Sequence, residues 1–436
     1  MAARGQLWAW LGVAMIWSAC GARPGMDPLS DASSPGPDAV MPDAMVQPDA
    51  EVLPTNCTWL AGGRRQVTEP PNDKAAHSMV VTESGVLIGW RTTNPDPPAD
   101  NTHYVQRVTF SGAPDGDKVA VFPPPSGWST SYMSLATGHG RVGAVTWDSS
   151  AGCRFRSLDA LGNTTGDVRT LGPDRCAWLR ATDSGFTGFS VGEYSASEWR
   201  LFNLDAQGTQ THTSEIIEAI SGGAFWWSST RLPDGSFVVA GMDSDLDPTV
   251  IRSQRIDANG NPLNEPTTIA SLPTPSNGVS LLALNDLILA GWFASDTDDD
   301  STQDRFLTFQ RLDLEGRPLG APWRASERVA YRDAGWSWTR LGGQLLVVIV
   351  EPLDGDPYGD ATAVTLLPFT LQGDPNGDPV ELTQLRFARR PKVRSTPHGV
   401  VTSFTGIADE PTPHQIFTVP ATCEVINATM LTPVSY

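Results

Sequence analysis

SMVVTESGVLIGW (78–90) is a strand, a Gly-containing turn and an apolar strand, and the same pattern returns six more times. The copies are SLATGHGRVGAVTW (134–147), LRATDSGFTGFSV (179–191), STRLPDGSFVVAG (229–241), SLLALNDLILAGW (280–292), TRLGGQLLVVIV (339–350) and VRSTPHGVVTSF (393–404). A second pattern, a strand ending in a polar turn, alternates strictly with the first. It reads YVQRVTFSGAPDG (104–116), CRFRSLDALGN (153–163), WRLFNLDAQG (199–208), IRSQRIDANGNPL (251–263), LTFQRLDLEGRPL (307–319), VTLLPFTLQGDPNG (364–377) and HQIFTVPATC (414–423).

The turn residues of the first pattern are Gly85, Gly140, Gly185, Gly235, Asp286, Gly343 and Gly399, so the period is near 50 residues. Four short strands per period is the arithmetic of an all-β, seven-bladed β-propeller. The composition agrees: 41 Gly and 36 Pro favour turns over helices. LLVVIV (345–350) is apolar on both faces, as a strand between neighbouring blades must be. With strands named a to d from the axis outward, the first pattern is a–b and the second is c with its exit turn. KVAVFPP (118–124), TTIASLP (267–273), PWRASE (322–327) and VELTQL (380–385) follow as d strands.

The seventh repeat stops after its c strand. RRQVTEPP (64–71), upstream of the first a strand, resembles the d strands and is expected to complete the last blade. Such a ring has no open edge and is expected to be monomeric. The propeller is assigned to 57–436.

Cysteine positions fit this closure. Cys423 ends the last c strand and Cys57 precedes the N-terminal d strand, so they are expected to meet. Cys153 and Cys176 are expected to pair within the second blade. The alternative is four unpaired buried thiols, an uncommon state for an exported chain.

Export is read from the N-terminus. Arg4, the apolar run Leu7 to Trp17 and the small residues before Cys20 have the layout of a signal peptide over 1–19. After this run, no apolar stretch approaches the roughly 18 residues needed to span a bilayer. Ser18-Ala19-Cys20-Gly21 resembles a bacterial lipobox, with Trp17 where Leu is usual, and makes Cys20 the lipidation candidate. Ordinary cleavage, which leaves Cys20 free or removes it, is the alternative. Removing Cys20 from the count leaves an even number of cysteines to pair. In residues 20–56, Pro-Asp-Ala recurs at 37–39, 42–44 and 48–50, with six acidic residues against Arg23. Proline and like charge predict an extended tether. Such a Pro/Asp/Ala tether after a lipobox resembles those of Gram-negative surface lipoproteins. The resemblance covers about the first 55 residues and implies an outer-membrane location, periplasmic or surface-exposed, with the membrane reached through the anchor alone.

The formal charge is −19, from 30 Lys+Arg against 49 Asp+Glu, and the chain is read as having no strongly basic segment. Such a chain repels phosphate backbones, which argues against nucleic-acid partners. The a–b and c–d turns share one end of the propeller and read as plain turn chemistry. The b–c and d–a connections share the other end and are longer: NPDPPADN (94–101), DSDLDP (243–248), SDTDDDSTQD (295–304), PLDGDPYGD (352–360) and GIADEPTP (406–413). Trp128, Trp178, Trp226, Trp227, Trp336 and Trp338 precede or open the a strands. They are read either as rings exposed to a glycan or protein ligand, or as wedges between blades. Asp296, Asp298, Asp300 and Asp304 are the metal candidates, for Ca²⁺. They lack the Gly and distal Glu of an EF-hand loop, and a solvated acidic loop is the alternative.

Catalytic signatures fail. Gly138-His139-Gly140-Arg141-Val142-Gly143 matches G-x-G-x-x-G but lies in an a–b hairpin, with no helix N-terminus to hold phosphate. There is no G-x-S-x-G and no H-E-x-x-H. The S-x-D-x-G-x-T-W box of sialidase-like propellers is not found, nor is the docking motif of quinoprotein propellers. No catalytic residue is assigned and no cofactor is expected beyond the Ca²⁺ candidate. The expectation is a binding or scaffold module; the alternative is a hydrolase or lyase acting on glycan.

Overall fold

The computed structural model describes residues 57–425, apart from 70–72, 94–101, 124–132, 149–150, 193–197, 216, 218–226, 244–247, 273–277, 296–304, 331–334, 354–359 and 409–412. The described chain is all-β. Five four-stranded antiparallel sheets follow one another in sequence, and a sixth sheet has eight strands.

The first blade comprises Asp73–Thr82, Gly85–Thr93, His103–Val108 and Val119–Phe122. The second comprises Ser134–Gly138, Arg141–Asp148, Gly152–Asp159 and Arg169–Gly172, and the third Arg175–Ala181, Gly185–Val191, Trp199–Asp205 and Gln210–Thr213. The fourth comprises Trp227–Arg231, Phe237–Asp243, Thr249–Ile256 and Thr267–Leu272, and the fifth Val279–Ala283, Ile288–Ser295, Arg305–Leu312 and Trp323–Ala330. The eight-stranded sheet holds two further four-strand sets. Trp336–Leu341, Gln344–Pro352 and Ala361–Thr370 belong to the sixth; Gly399–Ile407 and Gln415–Val425 belong to the seventh. The strand Val380–Thr396 is the outer strand of one set and the inner strand of the next. The sequence reading separates these two pieces; the chain instead crosses between the sets without leaving the sheet.

Neighbouring blades are joined along their inner strands by side-chain hydroxyls. In an antiparallel ladder, alternate N–H groups of an edge strand point away from its partner. Those of the inner strands are buried and need acceptors. Leu135 N–H donates to Ser78 Oγ at 3.1 Å, Leu179 to Ser134 at 3.1 Å, Leu281 to Ser228 at 3.2 Å and Val393 to Ser337 at 3.3 Å. A second rung runs from Ala283 to Thr230 and from Ser395 to Thr339. In the third blade Trp178 stands at the serine's place, and Arg180 Nη2 instead donates to Ser229 O at 2.7 Å.

The c–d turns do more than reverse the chain. Asp159, Asp205, Asp257 and Asp313 each accept backbone N–H bonds from two and four residues ahead. Each closed turn then seats on the preceding blade. Thr418 donates to Gly112 O at 2.6 Å, Thr82 to Ala160 O at 3.0 Å, Asn203 to Ala258 O at 3.1 Å, Ser253 to Gly316 O at 2.5 Å and Arg311 to Gln372 O at 2.9 Å. The turn of the third blade is held by Arg169, which donates to Thr209 Oγ1 at 2.7 Å. The plain-turn reading of these residues is therefore incomplete.

Closure proceeds as expected. Arg65–Gln66 pairs with the last strand, and so does Cys57–Ala61, which the sequence reading leaves out of the sheet. The seventh blade has no continuous c–d turn to seat on the sixth. Trp59 takes that place, buried, with its Nε1 donating to Gln344 Oε1 at 3.3 Å. Cys423 is disulfide-bonded, and Cys57 sits two positions along the ladder, opposite Val425; the Cys57 side chain lies outside the described residues. Cys153 and Cys176 form a disulfide. It joins the second blade to the third rather than lying within the second, because only two residues follow the second blade's outer strand Arg169–Gly172 before Arg175–Ala181 begins, and Cys176 already belongs to that next inner strand. Closing this loop contributes about 3 kcal/mol in the chain-entropy view.

The seam between the seventh and first blades encloses His77. Its Nε2 shares a 2.8 Å hydrogen bond with Ser403 Oγ. Burial, with Lys392 and Arg390 beside it, pushes its pKa down to about 3; the Ser403 bond offsets part of this and Arg394 adds to it.

Two expected outcomes follow from this packing. At Gly208, φ is +78° and a methyl group would stand 1.9 Å from the Phe155 ring, whereas Gly116 has φ +81° and open space. Gly208→Ala should cost about 2–4 kcal/mol, against about 1 kcal/mol for Gly116→Ala, in denaturant titrations. Equal losses would show that the seated turn adds nothing. For His77, the unfolded chain takes up a proton near the ordinary histidine value of 6.5 and the native chain only near 3. The unfolded state thus binds more protons in that window, so stability falls as pH drops through it, by up to about 1.4 kcal/mol per pH unit. His77→Gln should flatten this slope by as much as one proton; an identical pH dependence in the two proteins would exclude His77 as the cause.

Candidate functional site

Strand polarity divides the propeller into two ends. One carries the a–b and c–d turns, and the c–d turns are seated on neighbouring blades. The other carries the b–c and d–a connections, which include the long acidic segments. The structure therefore leaves this second end as the candidate binding face.

The four candidate tryptophans among the described residues do not form a grip on it. Trp178 and Trp227 are buried between the third and fourth blades, with ring centroids 5.5 Å apart, and Trp199 closes on Trp227 at 4.1 Å. Trp336 and Trp338 are buried between the fifth and sixth, 4.8 Å apart. The reading of these four as exposed ligand contacts is corrected: they are wedges, because a large ring at an inner strand fills the gap between splayed sheets. Trp128 and Trp226 lie outside the described residues, as do Asp296, Asp298, Asp300, Asp304 and Cys20. Among the described residues no cluster of three His, Cys, Asp or Glu side chains has metal-binding geometry. The G-x-G-x-x-G segment is a hairpin turn, with His139 at φ 54° and its Nε2 2.6 Å from Thr182 O of the next blade.

The structure draws attention instead to a stretch that the sequence reading passed over. RFARRPKVR (386–394) has five cations and no acid in nine residues, within a chain of net charge −19. It is the crossover from the sixth blade to the seventh, and its second half opens the innermost strand. Phe387 and Arg390 have φ of 50° and 53°. The left-handed region costs a residue with a Cβ about 1–2 kcal/mol. The ladder to Gly399–Ile407 slips between Arg386 and Arg389 and again between Arg389 and Lys392. Bulges of this kind re-aim side chains.

Both blades hold the crossover in this shape. Phe387 N–H donates to Asp360 O at 2.9 Å, Ala388 N–H to Thr362 Oγ1 at 3.0 Å, and Thr405 Oγ1 to Arg389 O at 3.3 Å. Arg386 is ion-paired with Asp360. Lys392 stands in register opposite Ser403, the partner of His77. Burial is the main reason that His77 stays neutral, and the positive field that adds to it comes from Lys392, Arg390 and Arg394 of this segment.

Other polar groups at this end are engaged with one another. Glu351 accepts two bonds from Arg328 Nη1, at 2.7 and 2.9 Å, and one from Thr365. Asp148 and Arg154, both buried, lie 3.4 Å apart. Burial lowers the Arg154 pKa and Asp148 counters it. These pairs stabilise the rim of the blades.

No family model matches the sequence, and no curated protein matches it. Among solved structures, the chain is similar to the phage phi92 endosialidase, with a TM-score of 0.52 and 10% identity over 86% of this chain and 71% of that one. A neuraminidase-like protein of A/flat-faced bat/Peru aligns with a TM-score of 0.39 and 9% identity over 87% and 98%. The likeness to the endosialidase is one of fold alone.

Proposed function

We propose that this protein is an exported, membrane-anchored β-propeller that binds its ligand without transforming it, and that it does so with the end carrying the b–c and d–a connections. The observation that supports this reading is the use of the opposite end. There the six Asp/Thr-x-x-Gly turns are spent on holding blades together. The other end carries connections of unequal length and composition, as a surface shaped for recognition would. A lipid on Cys20 and the acidic tether would hold the propeller away from the membrane, and display of many copies would raise avidity for a polymeric ligand.

A glycan hydrolase or lyase is the second reading, favoured by the fold likeness to a protein whose title names it an endosialidase. A glycan array probed with the full-length protein, with and without Ca²⁺, separates the two. Retained glycan without shortened products is the expected result. Release of shorter sugars would establish the enzyme, and no retention of any glycan would remove the glycan-binding reading. Anchoring has its own check. Labelled palmitate should enter the wild-type protein in a Gram-negative host and be absent from Cys20→Ser; equal labelling of both would place the lipid elsewhere.

A further inference from the structure

We propose that the crossover Arg386–Arg394 is an anion-binding site and that the ligand of this face is an acidic polysaccharide. The inference rests on the binding-face reading and names the chemistry of its ligand. Arg389 and Arg390 are its main contacts.

Three observations converge on this stretch. Its charge is opposite to that of the chain: five cations without an acid, against a net −19. Its backbone is set in a costly shape, with positive φ at Phe387 and Arg390 and two slips of the ladder, yet bonds from Asp360, Thr362 and Thr405 hold it there. Lys392 and Arg394 are buried and Arg386 is paired with Asp360, so Arg389 and Arg390 are the two cations presented, from a preorganised strand rather than a loop. Finally, Arg389 and Arg390 are half-buried, and Arg389 Nε is shielded from water with no hydrogen-bond partner. A shielded donor of a guanidinium is costly unless an acceptor reaches it. A carboxylate or sulfate oxygen offers that acceptor, because the planar guanidinium donates two parallel bonds to such groups.

Polymer chemistry follows from magnitude. Half-exposed arginines bind a single anion weakly. Repeated anionic groups along one chain multiply a weak contact into useful affinity, the more so for a protein displayed in many copies. Nucleic acid is the less suitable polyanion. The whole chain repels it, and the four described inner-strand tryptophans are buried and offer no base-stacking platform.

The test measures binding of the full-length protein to polygalacturonate (carboxylates), dextran sulfate (sulfates), neutral dextran and oligothymidylate. Polygalacturonate or dextran sulfate should bind and lose affinity as salt rises, and the better of the two identifies the anionic group. Neutral dextran should not bind. The double variant Arg389→Gln/Arg390→Gln should bind at least ten-fold more weakly with an unchanged melting temperature, while Arg389→Lys/Arg390→Lys should recover part of the loss. Unchanged affinity in the glutamine variant would overturn the assignment, as would oligothymidylate binding as tightly as the acidic sugars. If the array shows neutral glycans bound and both acidic polymers fail, the ligand chemistry is wrong while the face stands. If no glycan of any kind binds, the face reading falls first.

Discussion

The ring depends on how each sheet treats its innermost edge. A four-stranded sheet has two edges, and the inner one is buried against its neighbours, where half of its N–H groups have no strand to bond. Leaving such a donor unsatisfied costs about 1–3 kcal/mol. Here Ser78, Ser134, Ser228 and Ser337 place a hydroxyl under the N–H of the next blade, and Thr230 and Thr339 add a second rung. The same bond that removes the penalty sets the angular relation of two blades. Apolar packing then fills the space between sheets, with Trp and Phe rings where the wedge is widest.

Strand polarity separates the c–d end, which holds blades together, from the other end, where ligand recognition is proposed. Every c–d turn points the same way, so a turn that seats on its neighbour in one blade does so in six. The seventh blade draws its outer strands from the N-terminus and has no such turn; Trp59 occupies the corresponding place on the sixth. At the other end one strand, Val380–Thr396, passes directly from the outer place of the sixth set to the inner place of the seventh. That directness fixes a basic segment in place.

Much of the architecture was legible from periodicity. Gly85 to Gly399 mark the hairpins at a nearly constant spacing, and the alternation of two patterns names the strand order. The N-terminal closure was legible because Arg65 and Gln66 follow the d-strand pattern while the last repeat lacks one. The seating of the c–d turns was also written in the chain, as Asp159, Asp205, Asp257 and Asp313 each stand three residues before Gly162, Gly208, Gly260 and Gly316. Thr109 and Thr370 keep the spacing. The pattern names the turn, but a turn's partner across a blade interface is long-range and leaves no local mark. The tryptophans show the same limit: a ring opening an inner strand has one sequence signature whether it faces solvent or a neighbouring sheet.

The sequence by itself determined the repeat, the strand order, the acidic charge and the pairing of Cys153 with Cys176, since each is a matter of local pattern or simple count. Tertiary structure decided which blades the Cys153–Cys176 bond joins, that Trp178, Trp227, Trp336 and Trp338 are interior, and that Arg386 to Arg394 form a kinked basic strand at the seam. The physical reason is common to all three. Burial and register between blades depend on residues some fifty positions apart, and no local propensity records what packs across that distance.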